Sequence, residues 1–220
     1  LAEVLDVTVG IQVYHHTKVP KDFIKQRGFH SLTRQGHSWH PYIDANDVQR
    51  YYARTATTQW LHYNEKLRDK RDLDHYSEPR ILVQQIFWQR LAAVLQEPTE
   101  PHLYLNTLFA IFNARGVPLD CLFGIVNSRF VSGSYERRAN RLFGDKFPKV
   151  SKADLASIPI PKMSGDTMKK IGARARAAQA AWQGLRDALQ NADEELTGLR
   201  PNLSRGSMGE IWTLIQVEFR

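Results

Sequence analysis

The chain has 220 residues, 42% of them hydrophobic and 10% aromatic, so it can bury a core and is not a disordered segment. Its 30 Lys and Arg against 23 Asp and Glu leave a formal charge of +7, and a single cysteine, Cys121, excludes an internal disulfide framework or a cysteine-based zinc cage. The longest apolar runs, such as residues 108–112 and 122–126, fall far short of the roughly 20 residues that span a bilayer.

Along the chain, Val7, Val9, Ile11 and Val13 alternate with polar or small residues, the period-two pattern of a half-buried strand. Residues 15–40 are polar and rich in histidine, with Gly28 and Gly36 as turn signals, and read as one long surface loop. The densely charged residues 64–78 mix both signs and read as a solvated segment. The segment from Ile81 to Trp88 is the strongest strand. Two further apolar runs, Leu91–Leu95 and Leu103–Phe112, are separated by Pro98 and Pro101, and strands so close in sequence pair antiparallel. Leu119, Leu122, Phe123, Val126 and Phe130 then follow the spacing of one helix face. Ser151 and Asp154 have the spacing of a capping box, and Ile158-Pro159-Ile160-Pro161 must be extended.

The clearest pattern lies beyond. Met168, Ile171, Ala175, Ala178, Trp182, Leu185, Leu189, Ala192 and Leu196 alternate spacings of three and four, a heptad seam on a helix from about 166 to 197. Such a seam needs a partner: another helix of the chain, the same helix of a second chain, or the flank of the preceding domain. Met208, Ile211, Trp212, Ile215 and Phe219 form a shorter stripe able to fold back on it. The expected fold is α+β, a mixed and mainly antiparallel sheet domain over residues 1–161 followed by a helical region over 162–220.

The charge is uneven. Residues 1–150 carry a net +5 and residues 151–220 only +2. The densest basic stretch holds Arg129, Arg137, Arg138, Arg141, Lys146 and Lys149 against Glu136 and Asp145, interleaved with Tyr135, Phe143 and Phe147. Clustered cations with aromatics suit phosphates and bases, although a solvated basic surface has the same composition. No Gly-x-Gly-x-x-Gly, Gly-Lys-Ser/Thr, His-Glu-x-x-His or Gly-x-Ser-x-Gly motif is present. Cys121 sits among Leu119, Leu122 and Phe123, as a buried inert thiol would. His37 and His40 are the one tempting metal pair among the clustered histidines. Hydrogen bonding from this polar loop to nucleic acid is the stronger reading, and no metal site is assigned.

Several segments, in order, resemble one family. They are Gly10-Ile11-Gln12-Val13-Tyr14, Trp39-His40-Pro41-Tyr42, Asp47-Val48-Gln49-Arg50-Tyr51, Glu78-Pro79-Arg80-Ile81-Leu82-Val83, the helix Leu122–Phe130 containing Asn127-Ser128, and Phe147-Pro148-Lys149-Val150 through Ile158-Pro159-Ile160-Pro161. The set resembles the C-terminal target-recognition (TaqI-like specificity) domain of type IIG restriction–modification enzymes and adenine-N6 DNA methyltransferases, followed by a helix as in type I specificity subunits. Gln84 and Gln85 stand where that family often has Arg, and Asp44-Ala45-Asn46 replaces a glycine-containing turn.

The resemblance implies a module that recognises duplex DNA and presents an adenine to a separate methyltransferase domain of the same polypeptide. That domain would bind S-adenosylmethionine and carry an Asn/Asp-Pro-Pro-Tyr/Phe motif, which this chain lacks, so no catalytic residue and no cofactor is assigned here. The non-Met start at Leu1 fits a piece of a longer enzyme. Charged Glu3 and Asp6 stand where a secretory segment would be apolar, so a cytoplasmic protein without membrane partners is expected. The candidate DNA contacts are Arg129, Tyr135, Arg137, Arg138, Arg141, Lys146 and Lys149, with Arg34, His37, Trp39, Arg50 and Tyr51 as a second lobe. The competing classes are an RNA-binding module and a protein-interaction scaffold that self-associates through the heptad helix.

Overall fold

Residues 81–83 and 93–95 are apolar without interruption because their strands are covered on both faces. In the computed structural model, which describes residues 5–15, 17–54, 59–87, 90–114, 116–143 and 149–199, the elements run in order. They are β1 (Leu5–Val9), α1 (Lys21–Lys25), β2 (His30–Ser31), β3 (Trp39–Ile43), β4 (Val48–Gln49), β5 (Tyr52–Ala53), β6 (Trp60–His62), β7 (Arg80–Gln84), β8 (Ala93–Gln96), β9 (Leu103–Tyr104), β10 (Leu108–Ala114), α2 (Leu119–Val126), α3 (Arg129–Phe143), α4 (Lys152–Ala156) and α5 (Gly165–Leu199). The fold class is α+β, as the sequence pattern indicates.

The first sheet has the order β1-β10-β7-β8 and is antiparallel throughout. Side chains alternate across it. Val7, Ile81, Val83, Ala93, Leu95, Phe109 and Ile111 face one core, shared with Leu122, Phe123 and Val126 of α2, Val131 of α3 and Leu155 of α4. Leu82, Val94, Leu108 and Ala110 face the other core, shared with Ile43, Leu61 and Leu103 of the second sheet. That sheet has the order β2-β6-β3-β9, with β3 and β9 its parallel pair. The result is three layers: helices, sheet, sheet. The chain passes between the sheets at Gly10, where a Cβ would lie 2.3 Å from the Leu105 carbonyl oxygen, so only glycine fits.

A fully buried arginine ties the second core together. The Arg80 guanidinium donates to the carbonyls of Tyr76 (2.8 Å), Glu78 (3.2 Å) and His102 and to the Gln96 Oε1, and stacks over the Tyr104 ring at 5.2 Å. Burial pushes its pKa down to about 10, which leaves it charged at neutral pH. His75 and His102 nearby are held at about 4, by burial first and then by cations that include Arg80, so both are neutral.

β8 is an edge strand, and the backbone of Ala93 and Leu95 points away from β7. Two amide side chains cover it. Ala93 N–H donates to Asn127 Oδ1 (3.2 Å) and Asn127 Nδ2 donates to Ala93 O (3.1 Å). Leu95 N–H donates to Gln179 Oε1 (2.9 Å) and Gln179 Nε2 donates to Leu95 O (2.8 Å).

The sequence pattern differs from the structure at several places, among them the strand read from Ile81 to Trp88, in which β7 ends at Gln84. Residues 15–40 are not one loop: Lys21–Lys25 is helical and Phe29 is buried among Tyr14 and Phe23. The helix through Phe130 is two helices, because Asn127 ends α2 to bond Ala93, and Phe130 is left 63% exposed. Among residues 64–78, Leu67 and Tyr76 are buried. The capping box forms as read, with Ser151 and Asp154 bonding reciprocally.

The chain divides into Leu1–Ala180 and Ala181–Arg220, so the long helix is shared between the two units. In the first unit, Met168, Ile171 and Ala175 pack on the core that contains α2. Gly172 and Gly124 allow this close approach: a Cβ on Gly172 would lie 2.6 Å from the Asp120 carboxyl carbon, and one on Gly124 2.9 Å from Ile171. Arg176 binds Glu97 through two 2.9 Å contacts and Asp120 at 3.2 Å. The first half of the seam thus has its partner in the flank of the preceding domain. In the second unit, Trp182 and Leu185 are exposed by 40% and 46%, and the stripe over 208–219 lies outside the described residues. Among the described residues, no helix is long and apolar enough to cross a membrane.

Two measurements check the buried network. Arg80→Met strands three carbonyls and an amide oxygen in the core and is expected to lower unfolding free energy by about 3 kcal/mol or more in urea titration. Between pH 6.5 and about 4 the unfolded chain binds protons at His75 and His102 that the folded chain refuses, so stability is full above 6.5 and falls with acidification through that window. His102→Gln should flatten the dependence of melting temperature on pH.

Candidate nucleic-acid interface

The first cluster of predicted residues sits on the second sheet. In β6, Leu61 turns inward, so Trp60 and His62 share the opposite face. Trp39, directly opposite in β3, stacks on His62 with centroids 5.1 Å apart and planes 9° from parallel. Arg34 lies over Trp60 at 5.4 Å. The result is a partly exposed aromatic and cationic surface, edged by the exposed loop that carries Arg34 and His37. Beside it, Tyr42 Oη accepts from Arg27 (3.0 Å), contacts His30 Nδ1 (2.9 Å) and bonds Gln59 (2.6 Å). Burial and the Arg27 charge hold His30 at about 4, so it is neutral at pH 7.

The second cluster is built around Asn127. The tip of the β4–β5 hairpin is Arg50-Tyr51, with Tyr51 at a left-handed φ of 62°. That conformation is unfavourable for a tyrosine and is held by two contacts: its N–H donates to Ala93 O (3.0 Å), and its ring meets Phe123 edge-on at 5.4 Å. Arg50 Nε donates to Asn127 O (3.0 Å) while its guanidinium lies over Tyr51 at 4.8 Å. Leu91 N–H donates to Ser132 Oγ of α3 (3.2 Å). These bonds bring Arg50, Arg90 and Arg129 into one neighbourhood. Burial, then Arg50 and Arg129, hold the Arg90 guanidinium below its ordinary pKa.

Arg90 is absent from the sequence-derived candidates. It stands alone between Gln89 and Leu91, and only the pairing of Ala93 with Asn127 and of Leu91 with Ser132 places it among other arginines. The other candidates separate. Arg129 and Arg137 are exposed on α3, and Lys149 is exposed where it bridges to Ile86. Arg138 is half-buried and donates to Ser157 Oγ (2.8 Å), which ties α3 to α4. Tyr135 is not a surface residue. It is buried and packs its ring against Phe87 at a tilt, centroids 4.8 Å apart, because it lies one helical turn from the core residue Val131. The Arg141 side chain and Lys146 lie outside the described residues. The clusters of three or more His, Cys, Asp or Glu that a metal ion needs do not occur among the described residues.

Residues 40–160, more than half of the chain, match the model of the TaqI-like C-terminal specificity domain. A solved structure concerned with complex assembly and conformational transition of the type I R-M system is 15% identical, with a TM-score of 0.49. The alignment covers 90% of this chain and 42% of that one, so the chain spans less than half the length of that protein. No curated protein matches the chain.

Asn127→Asp tests the hub. It replaces the amide donor by an oxygen facing the Ala93 and Phe123 carbonyls, and is expected to lower stability by about 3 kcal/mol at neutral pH in chemical denaturation.

Proposed function

The chain belongs to the TaqI-like C-terminal specificity domain family, and we propose that it is the part of a restriction–modification enzyme that reads a duplex DNA sequence, in the cytoplasm, for a separate adenine-N6 methyltransferase domain of type IIG kind. The family match carries this reading, and the two clusters support it. Arg34, His37 and Trp39 offer donors and a flat ring for base edges and sugars. Arg50, Arg129, Arg137 and Lys149 offer cations for phosphates. Phosphate contacts set register and orientation, and base-edge contacts set sequence.

This chain's residues bind and position; they transfer nothing. S-adenosylmethionine belongs to the catalytic domain, which extrudes the target adenine and methylates it. The exposed Trp182 and Leu185 of α5 favour a second contact in the same assembly, with the catalytic domain or with a second copy of the helix.

Binding to a mixed-sequence duplex, followed by fluorescence anisotropy over a salt series, tests the reading. Affinity should fall linearly in log–log form, and Arg137→Ala should reduce the slope by about 0.9 if it contacts one phosphate. A chain that binds single strands better than duplex, or binds neither, contradicts the proposal.

A further inference from the structure

We propose that Arg50, Arg90 and Arg129 form a seat for one backbone phosphate of duplex DNA, set against the edge of β8 and the start of α3. The proposal rests on the DNA-recognition reading above and deepens it.

Packing alone does not ask for three cations at this place. Satisfying the backbone of Leu91 and Ala93 requires Ser132 and Asn127, and closing the hairpin requires the Tyr51 N–H on Ala93. None of these bonds depends on the charge of residues 50, 90 or 129. Yet each of those positions holds an arginine. No carboxylate pairs with any of the three among the described residues, and the nearby Asp47 faces Arg54 at 3.7 Å instead. Arg129 also opens α3, a 15-residue helix whose first turn carries no acidic side chain. A cation there opposes the positive end of the helix dipole. The neighbourhood is therefore electrostatically unfavourable when empty, and an anion relieves it.

The geometry narrows the anion. Arg50 is anchored through Nε to Asn127 O, and its two terminal nitrogens, which have no hydrogen-bond partner among the described residues, can form a bidentate pair with two anionic oxygens. Three arginines brought into one neighbourhood suit a tetrahedral phosphodiester better than a guanine edge, which takes a single arginine. Exposed Arg137 and Lys149 continue the positive charge beyond the triad, as a polyanion needs and a lone carboxylate does not. Phe130, exposed beside Arg129, adds an apolar contact for the adjacent sugar or base.

The test uses the full chain with Arg90→Gln, Arg129→Gln and Arg90→Lys. Binding is measured over a salt series to a mixed-sequence duplex and to one selected by the wild-type chain from a randomised pool. Each glutamine variant should reduce the slope of log K against log salt by about 0.9 and weaken both duplexes by the same factor, whereas Arg90→Lys should keep the slope. In low salt without DNA, both glutamine variants should melt no lower than wild type, because like-charge repulsion is removed. An unchanged slope overturns the proposal. A loss confined to the selected duplex assigns base readout and overturns it. Lower melting of both variants assigns a structural role and overturns it. Wild-type chain that binds neither duplex overturns the function reading and this proposal together; wild-type binding with unaffected variants overturns the phosphate seat alone.

Discussion

The open edge of β8 is the constraint on which the rest of the structure depends. A strand at the end of a sheet leaves every second N–H and C=O unpaired, and each such group buried without a partner costs about 1–3 kcal/mol. Here the groups of Ala93 and Leu95 are closed by the amides of Asn127 and Gln179, each acting as donor and acceptor at once. A carboxylate cannot do this, since it has no donor, and an aliphatic side chain can do neither half. The two amides come from different places, the elbow between α2 and α3 and the first half of α5. Closing one strand edge therefore fixes the break between two helices, the seating of the long helix and the approach of the β4–β5 hairpin, which adds the Tyr51 N–H to the same Ala93 carbonyl.

The second core is organised by a different device. Arg80 is wholly buried with carbonyl and amide oxygens around it and no carboxylate among its hydrogen-bond partners. Its charge is spread over acceptors contributed by Gln96 of β8 and by the segments that carry Tyr76, Glu78 and His102. His75 and His102 are kept neutral first by their burial and then by neighbouring cations that include this guanidinium. Arg80 thus carries its charge in a fully bonded buried cage, while Arg34, Arg129 and Arg137 of the proposed interface are exposed. Rigid support under the side chains that make contact is what a recognition surface requires.

Much of this was legible in the sequence, wherever the signal is local. The seam from Met168 onward, the Ser151–Asp154 capping box and the apolar run of β7 are patterns within a few turns or a single strand, and the structure contains all three. The failures are tertiary. Asn127 breaks a helix that periodicity would continue, because its side chain answers a strand more than thirty residues earlier. Tyr135 has basic neighbours in the chain, but its spacing of four from Val131 turns it inward. Arg90 has no basic neighbour in the chain, and its company exists only in three dimensions. A linear run of charge is thus a poor guide to a charged site: it includes Arg138, which is tied to Ser157, and omits Arg90.

The net charge of +7 does not show how the charge is distributed, because several acids are held by cations that brace the fold. Glu97 and Asp120 hold Arg176, Asp47 faces Arg54 and caps its own turn, Asp154 closes the capping box, and Glu65 holds Lys70 at 2.7 Å. These carboxylates neutralise cations that brace the fold. Arg34, Arg50, Arg90, Arg129 and Arg137 have no carboxylate opposite them among the described residues, and they fall on the aromatic face of the second sheet and around the Asn127 elbow. Surface ion pairs add little stability, so pairing these arginines would bring the fold almost nothing and would silence the field they create. Among the described residues, Glu97 and Asp120 stand where the long helix must be seated on the sheet, whereas the arginines around the Asn127 elbow have no carboxylate opposite them, and that is the arrangement the proposed phosphate seat requires.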